Sequence, residues 1–196
     1  RKPMQKIDFV VTWLDESDPE WLKNRKKFAP GEGEDGRAER YRDWGLFRYW
    51  FRGVERFAPC VRKVHLVVSG RVPDWLNTEC PKLHVVKHEE FIPKEFLPTF
   101  NSNVIEIYLH RIEGLADQFV YFNDDMYLIN RVKQEYFFRS GLPCDLLALQ
   151  PVVANPDNQV ISHLFLNNAL VLSKYFDKRK NIRRQPWKYF HFGYPP

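Results

Sequence analysis

Three acids stand where apolar segments end. The run Phe119-Val-Tyr-Phe122 leads into Asn123, Asp124 and Asp125, and the run Ile7–Leu14 leads into Asp15. A carboxylate at the exposed end of a buried segment is available to a ligand without the cost of burying a charge. Paired hard oxygen donors of this kind suit Mg²⁺ or Mn²⁺, which take one or two carboxylates and complete their shell with water and substrate phosphate. Arg42, in Arg40-Tyr-Arg-Asp43, carries the planar fork that clamps phosphate oxygens, and Asp43 has the side chain of a helix N-cap. Asn101 opens a segment in which Asn103, Glu106, His110 and Glu113 recur at spacings of three and four. On a helix these share one side, so Glu106 and His110 read either as an ordinary exposed face or as groups able to move a proton.

The elements that must carry these residues follow from pattern. Lys6–Leu14 reads as a buried strand, with a helix from Asp18-Pro19-Glu20 to about Phe28. Arg42–Phe57 has helical periodicity, with Leu46, Tyr49, Trp50 and Val54 as its apolar side. Lys63–Ser69, Leu83–Lys87, Gln118–Phe122 and Asp145–Gln150 read as strands, and Asn101–Glu113 and Asn158–Leu172 as helices. Strands alternating with helices predict an α/β fold, a mostly parallel sheet flanked on both sides by helices. In such sheets ligands gather beyond the carboxyl ends of the strands. Asp15 and Asp124-Asp125 would then approach one crevice if their strands are parallel neighbours.

Composition narrows the class. With 196 residues, 44% hydrophobic and 16% aromatic, the chain can bury a sizeable core as a single domain. A net charge of +5 favours anionic partners. Three cysteines, none at metal-binding spacing, point to a reducing, cytoplasmic setting. No Walker loop, HExxH or GxSxG occurs. Residues 174–196 form a basic tail interleaved with aromatics, which reads as a solvated helix face or as a contact for an anionic polymer or membrane surface. It lacks a nucleic-acid stacking motif, so no nucleic-acid partner is expected.

Taken together, the motifs resemble the Stealth proteins, which comprise bacterial capsular polysaccharide phosphotransferases and the catalytic part of the animal N-acetylglucosamine-1-phosphotransferase. The matching blocks are Ile7–Pro19, then Arg40–Asn77 with Leu97–Ser102, Leu109–Leu115 and Phe119–Met126, and more weakly His163–Phe176. The resemblance implies a nucleotide-sugar fold of the GT-A/Rossmann-like kind and transfer of a sugar 1-phosphate from a UDP-sugar to a glycan acceptor hydroxyl, with UMP released. It further implies Mg²⁺ or Mn²⁺ at Asp124 and Asp125, Arg42 on the transferred phosphoryl group, and Asp15, Glu106 or His110 as base. Asp43, Asn101 and Asn123 would bind substrate, and the basic tail would meet the inner face of the membrane peripherally. Two departures stand out. Asn103 occupies a place where the family often has histidine, and the family's later blocks find no match before Pro196. The resemblance therefore implies a shortened catalytic domain or, alternatively, a non-catalytic nucleotide-sugar or polysaccharide-binding module.

Overall fold

Ile7–Trp13 form the first strand, β1, because β-branched and aromatic residues on both of its faces meet covering layers. The computed structural model describes residues 6–28, 44–145 and 160–186. By their internal contacts the residues divide into two compact units, Arg1–Cys144 and Asp145–Pro196.

In the first unit β1 is followed by helix α1 (Pro19–Phe28), helix α2 (Phe47–Phe57), and strands β2 (Val61–Val68) and β3 (Leu83–Lys87). The short helices α3 (His88–Phe91) and α4 (Ser102–Tyr108) come next, and then strand β4 (Gln118–Phe122). The sheet order is β3-β2-β1-β4, and every pairing is parallel. β1 thus lies between β2 and β4, with Val11 opposite both Leu66 and Phe122. The expected α/β architecture with a parallel sheet is what the structure has.

Side chains of a strand alternate between faces, and the two faces of this sheet meet different layers. Ile7, Phe9, Val11 and Trp13 join Leu66, Val68 and Phe122 beneath α2, which contributes Phe47, Trp50 and Val54. Trp50 is 1% exposed, and burying so large a ring stabilises the fold by roughly 3 kcal/mol. Val10, Val67 and Val86 form the other face under Phe91 and Ile92, with Leu109 and Ile112 beyond α4. A small antiparallel hairpin, β5 (Phe138–Arg139) with β6 (Leu142–Pro143), follows. The second unit contains α5 (Val160–Tyr175) and α6 (Lys178–Arg184), the latter capped by Asp177 accepting from the Lys180 N–H at 3.0 Å. Among the described residues, no helix is long and apolar enough to cross a membrane.

The structure corrects several boundaries. The helix expected from Arg42 begins at Phe47, with Leu46 rather than Asp43 at the N-cap. Gly45 takes φ +68°, a left-handed conformation that interrupts any helix running in from upstream. The buried side of α2 is Phe47, Trp50, Gly53 and Val54, whereas Leu46 and Tyr49 are exposed. β2 starts two residues earlier than expected. The helix expected over Asn101–Glu113 ends at Tyr108 and tightens into a 3-10 turn, Leu109–Arg111. In that tighter winding residues three apart eclipse, which sends both Leu109 and Ile112 into the core. The strand expected over Asp145–Gln150 lies outside the described residues beyond Asp145.

Candidate functional site

The strand order creates the site. From β1 the chain moves to β2 and β3 on one side, then crosses back to β4 on the other. Between β1 and β4 the strand order reverses, the switch point at whose carboxyl ends open α/β sheets bind ligands. Both sets of acids identified in the sequence follow these two strands.

After β4 the chain turns at once. The Met126 N–H donates to the Asn123 carbonyl at 3.2 Å, so Asp124 and Asp125 are the two central residues of a tight turn, and all three of Asn123, Asp124 and Asp125 are exposed. After β1, Asp15 Oδ1 accepts from the Ser17 N–H at 2.9 Å and the Ser17 hydroxyl at 2.6 Å. That carboxylate is half-buried and held to its own turn. Trp13, the last residue of β1, stacks on Phe47 with ring centroids 6.1 Å apart, which brings the first turn of α2 to the same end of the sheet. Trp13 Nε1 is buried without a hydrogen-bond partner among the described residues.

α4 approaches from the other face. Asn101 is its N-cap, its Oδ1 accepting from the Asn103 N–H at 2.9 Å. The preceding Phe100 meets Trp21 of α1 edge to face at 5.9 Å, tying α4 to the helix that follows β1. The 3-10 turn separates Glu106 from His110. His110 Nδ1 lies 2.8 Å from the Ile107 carbonyl, to which its ring N–H donates. The Tyr121 hydroxyl in β4 lies 3.2 Å from Thr12 Oγ1 in β1, joining the two strands by their side chains. Burial holds the Tyr121 phenol above its ordinary pKa; the bond from Thr12 opposes this, and the charges of Glu106 and Asp124 add to it by smaller amounts. Tyr121 and Thr12 were not singled out from the sequence. Both are half-buried core-type residues whose hydroxyls meet only when β1 and β4 pair.

Of the residues named from sequence, Asp15 follows the carboxyl end of β1 and Asn123, Asp124 and Asp125 follow that of β4, Glu106 and Asp124 both act electrostatically on Tyr121 of β4, and Asn101 caps α4. His110 is bound to its own helix turn. Arg42 and Asp43 lie outside the described residues. Among the described residues no three or more His, Cys, Asp or Glu side chains gather around a metal-sized point. The hard oxygens of Asp124 and Asp125 fit a divalent ion of the kind that substrate phosphates complete.

A second charged group sits at the opposite, amino end of the sheet. Asp8 is fully buried in β1 and accepts from Arg62 Nε at 2.8 Å, Arg62 Nη2, the Ala116 N–H at 2.9 Å and His65 Nε2 at 3.0 Å. Burial alone would raise its pKa, but these donors hold the carboxyl below its usual range. With Nε2 donating to Asp8, His65 Nδ1 accepts from His84 Nδ1, 3.0 Å away. This network joins β1, β2, β3 and the turn before β4 and is structural.

Comparison with known proteins adds an independent line. The profile of Stealth protein CR2, conserved region 2, matches residues 40–144. The chain is 45% identical over 192 residues to the capsular polysaccharide phosphotransferase eps5J of Streptococcus thermophilus, covering 96% of this chain and 79% of that protein. It is 42% identical over 196 residues to the capsular polysaccharide phosphotransferase WcwK of Streptococcus pneumoniae, covering 98% of this chain and 58% of the relative. To the exopolysaccharide phosphotransferase cps2G of Lactiplantibacillus plantarum it is 39% identical over 189 residues, 96% of this chain and 55% of the relative.

Proposed function

Because the chain belongs to the Stealth protein family, we propose that it is a phosphotransferase of capsular polysaccharide synthesis that moves a sugar 1-phosphate from a UDP-sugar to a glycan hydroxyl. The observation that carries this reading is the acid turn Asn123–Met126 at the carboxyl end of β4, beside the β1 end that leads to Asp15. Exposed carboxylates at the switch point of a parallel sheet suit a metal-bridged diphosphate better than a bare sugar, and a GT-A-like nucleotide-sugar fold accords with the sheet order.

Asp124 and Asp125 would hold Mg²⁺ or Mn²⁺, which when bound neutralises pyrophosphate charge. The acceptor oxygen forms a bond to the β-phosphorus, the bond from that phosphorus to the bridging oxygen breaks, and UMP leaves with the oxygen. The acceptor proton passes to a base, for which Asp15, Glu106 and His110 are the candidates. Arg42 would spread positive charge over the equatorial phosphoryl oxygens, with Asp43 beside it. Asn101, whose Oδ1 serves the cap, would offer its amide nitrogen to a substrate oxygen, and Asn123 would flank the diphosphate. The cationic residues Arg179, Lys180, Arg183 and Arg184 would favour peripheral contact with an anionic membrane surface.

A panel of UDP-sugars incubated with a glycan acceptor and Mg²⁺ or Mn²⁺ tests the reading. UMP release that depends on acceptor and metal is expected. Release of UDP instead would assign the chain to sugar transfer without phosphate.

A further inference from the structure

Three arginines run along the outward side of α2. Arg48, Arg52 and Arg56 follow one another at four-residue spacing, which places them in one stripe. All three are exposed, whereas Phe47, Trp50 and Val54 turn inward. Each guanidinium lies over an aromatic ring. Arg48 stands 5.9 Å from the centroid of Trp75, Arg52 5.3 Å from that of Tyr49, and Arg56 5.7 Å from that of Phe57. The Trp75 ring is itself fixed, edge to face with Phe47 at 6.1 Å and with Phe51 at 5.9 Å. Trp75 is still 41% exposed and Tyr49 50%.

Helix electrostatics do not favour this arrangement. Like charges four residues apart destabilise a helix, and Arg48 stands in the first turn, where the macrodipole favours acids. That turn contains no acid, and Glu55 is the one acid of the helix. Among the described residues none of the three arginines forms a salt bridge. Cation–π attraction restrains each guanidinium without consuming its N–H donors, which fit the paired oxygens of a phosphodiester.

The stripe also has a direction. Trp75 meets Phe47, and Phe47 stacks on Trp13, the last residue of β1. Arg48 therefore stands at the carboxyl end of the sheet, and Arg56 lies about 12 Å further along α2 at 1.5 Å rise per residue. We propose that this arginine–aromatic ridge is a binding track for an anionic glycan that carries phosphodiesters, with its phosphates on Arg48, Arg52 and Arg56 and its sugar rings against Trp75 and Tyr49. Successive arginines are about 6 Å apart along the helix axis, the scale of one sugar and its phosphate. The choice of polymer rests on the phosphotransfer reading above, because moving a sugar 1-phosphate to a glycan hydroxyl creates a phosphodiester. The ridge keeps the glycan near the end of the sheet where Asp15 and the Asp124 turn lie.

The test is binding by the whole chain without donor nucleotide. Phosphomannan is the probe, mannan supplies the same sugar without phosphate, and polyphosphate supplies the anion without sugar. Phosphomannan is expected to bind about tenfold more tightly than either, and less tightly as salt rises. Changing Arg48→Gln, Arg52→Gln and Arg56→Gln together should weaken its binding about tenfold or more, and Tyr49→Ala about threefold. Lys23→Gln, Lys26→Gln and Lys27→Gln on α1 remove the same charge and should change it less than about twofold. If the glutamine variant of α2 melts markedly lower, the triple lysine variant carries the test. It keeps the charge, loses the planar fork, and should bind about threefold more weakly. Equal binding of mannan or polyphosphate, full affinity in the α2 variants, or an equal loss in the α1 variant would overturn the track. Tighter binding through the same arginines to phosphatidylglycerol vesicles or to a single-stranded oligonucleotide would overturn it in favour of a membrane or a nucleic acid. If no UDP-sugar yields UMP yet phosphomannan binds through the stripe, the phosphotransfer reading fails and the binding surface stands.

Discussion

Gly53, in the middle of α2, faces Leu128 so closely that a Cβ on residue 53 would stand 3.1 Å from the Leu128 carbonyl oxygen and 3.9 Å from its Cβ. Glycine inside a helix costs about 1 kcal/mol relative to alanine, yet here it lets the chain leaving the Asn123–Met126 turn lie directly on α2. Backbone, unlike a flexible side-chain tip, cannot swing aside. Gly53→Val is expected to destabilise the fold by about 1–3 kcal/mol and to lower phosphotransfer further than the stability loss explains, because it displaces the segment that anchors Asp124 and Asp125. Urea unfolding and UMP release measured on the same variant check both halves.

Asp124→Asn and Asp125→Asn should each lower UMP release by about 100-fold or more, since each removes a charged ligand at the pyrophosphate. Chelation of the divalent ion should have a comparable effect. Apart from activity, Mg²⁺ or Mn²⁺ should raise the melting temperature of the unaltered chain and shift the two variants less. A metal-induced shift that survives in both variants would place the ion elsewhere.

Asp8 predicts where the fold fails in acid. Its folded pKa lies below the ordinary 3.8, so its contribution is complete above about pH 4 and is lost as the pH falls through the lower folded value. Asp8→Asn removes the charge that Arg62 and His65 share. The cost should be about 2–4 kcal/mol at neutral pH, at the low side for a buried pair because Arg62 is 32% exposed. Urea midpoints collected from about pH 2 to pH 7 should show the variant losing the acid limb that the unaltered chain displays.

His88 acts over a different window. Burial lowers its pKa from 6.5 to about 4. The unfolded chain therefore binds a proton first, and stability that is fully present above pH 6.5 drains away as the pH falls toward 4. The loss should approach roughly 3 kcal/mol. His88→Gln should flatten stability between those values while leaving the lower limb due to Asp8 in place.

Much of the fold was legible in one dimension. β4 has the bounds read from its aromatic run, β3 agrees likewise, and β1 and α1 agree to within a residue or so. These segments announce themselves because burial on both faces demands continuous apolar sequence, and Pro19 after Asp18 marks a helix start. The ends of α2 and α4 were less legible. Gly45 and the 3-10 turn at Leu109 respond to what the helices must cover, not to periodicity. His84 meets His65 on β2 and His88 turns into α3, placements that spacing along the chain does not show.

The sequence by itself determined the chemistry on offer: carboxylates at strand ends, apolar strands to anchor them, and blocks specific enough to assign the family. Those properties are local, set by residue type and short spacing. Only the tertiary structure decided that β1 and β4 are parallel neighbours, that Asp8 meets Arg62 and His65, and that Thr12 reaches Tyr121 across 109 residues of chain. Strand order depends on how whole faces are buried between α2 and the α3–α4 layer. A hydroxyl's partner depends in turn on that order, so no reading of Phe119-Val-Tyr-Phe122 as an anchor could reveal that its tyrosine hydroxyl meets Thr12.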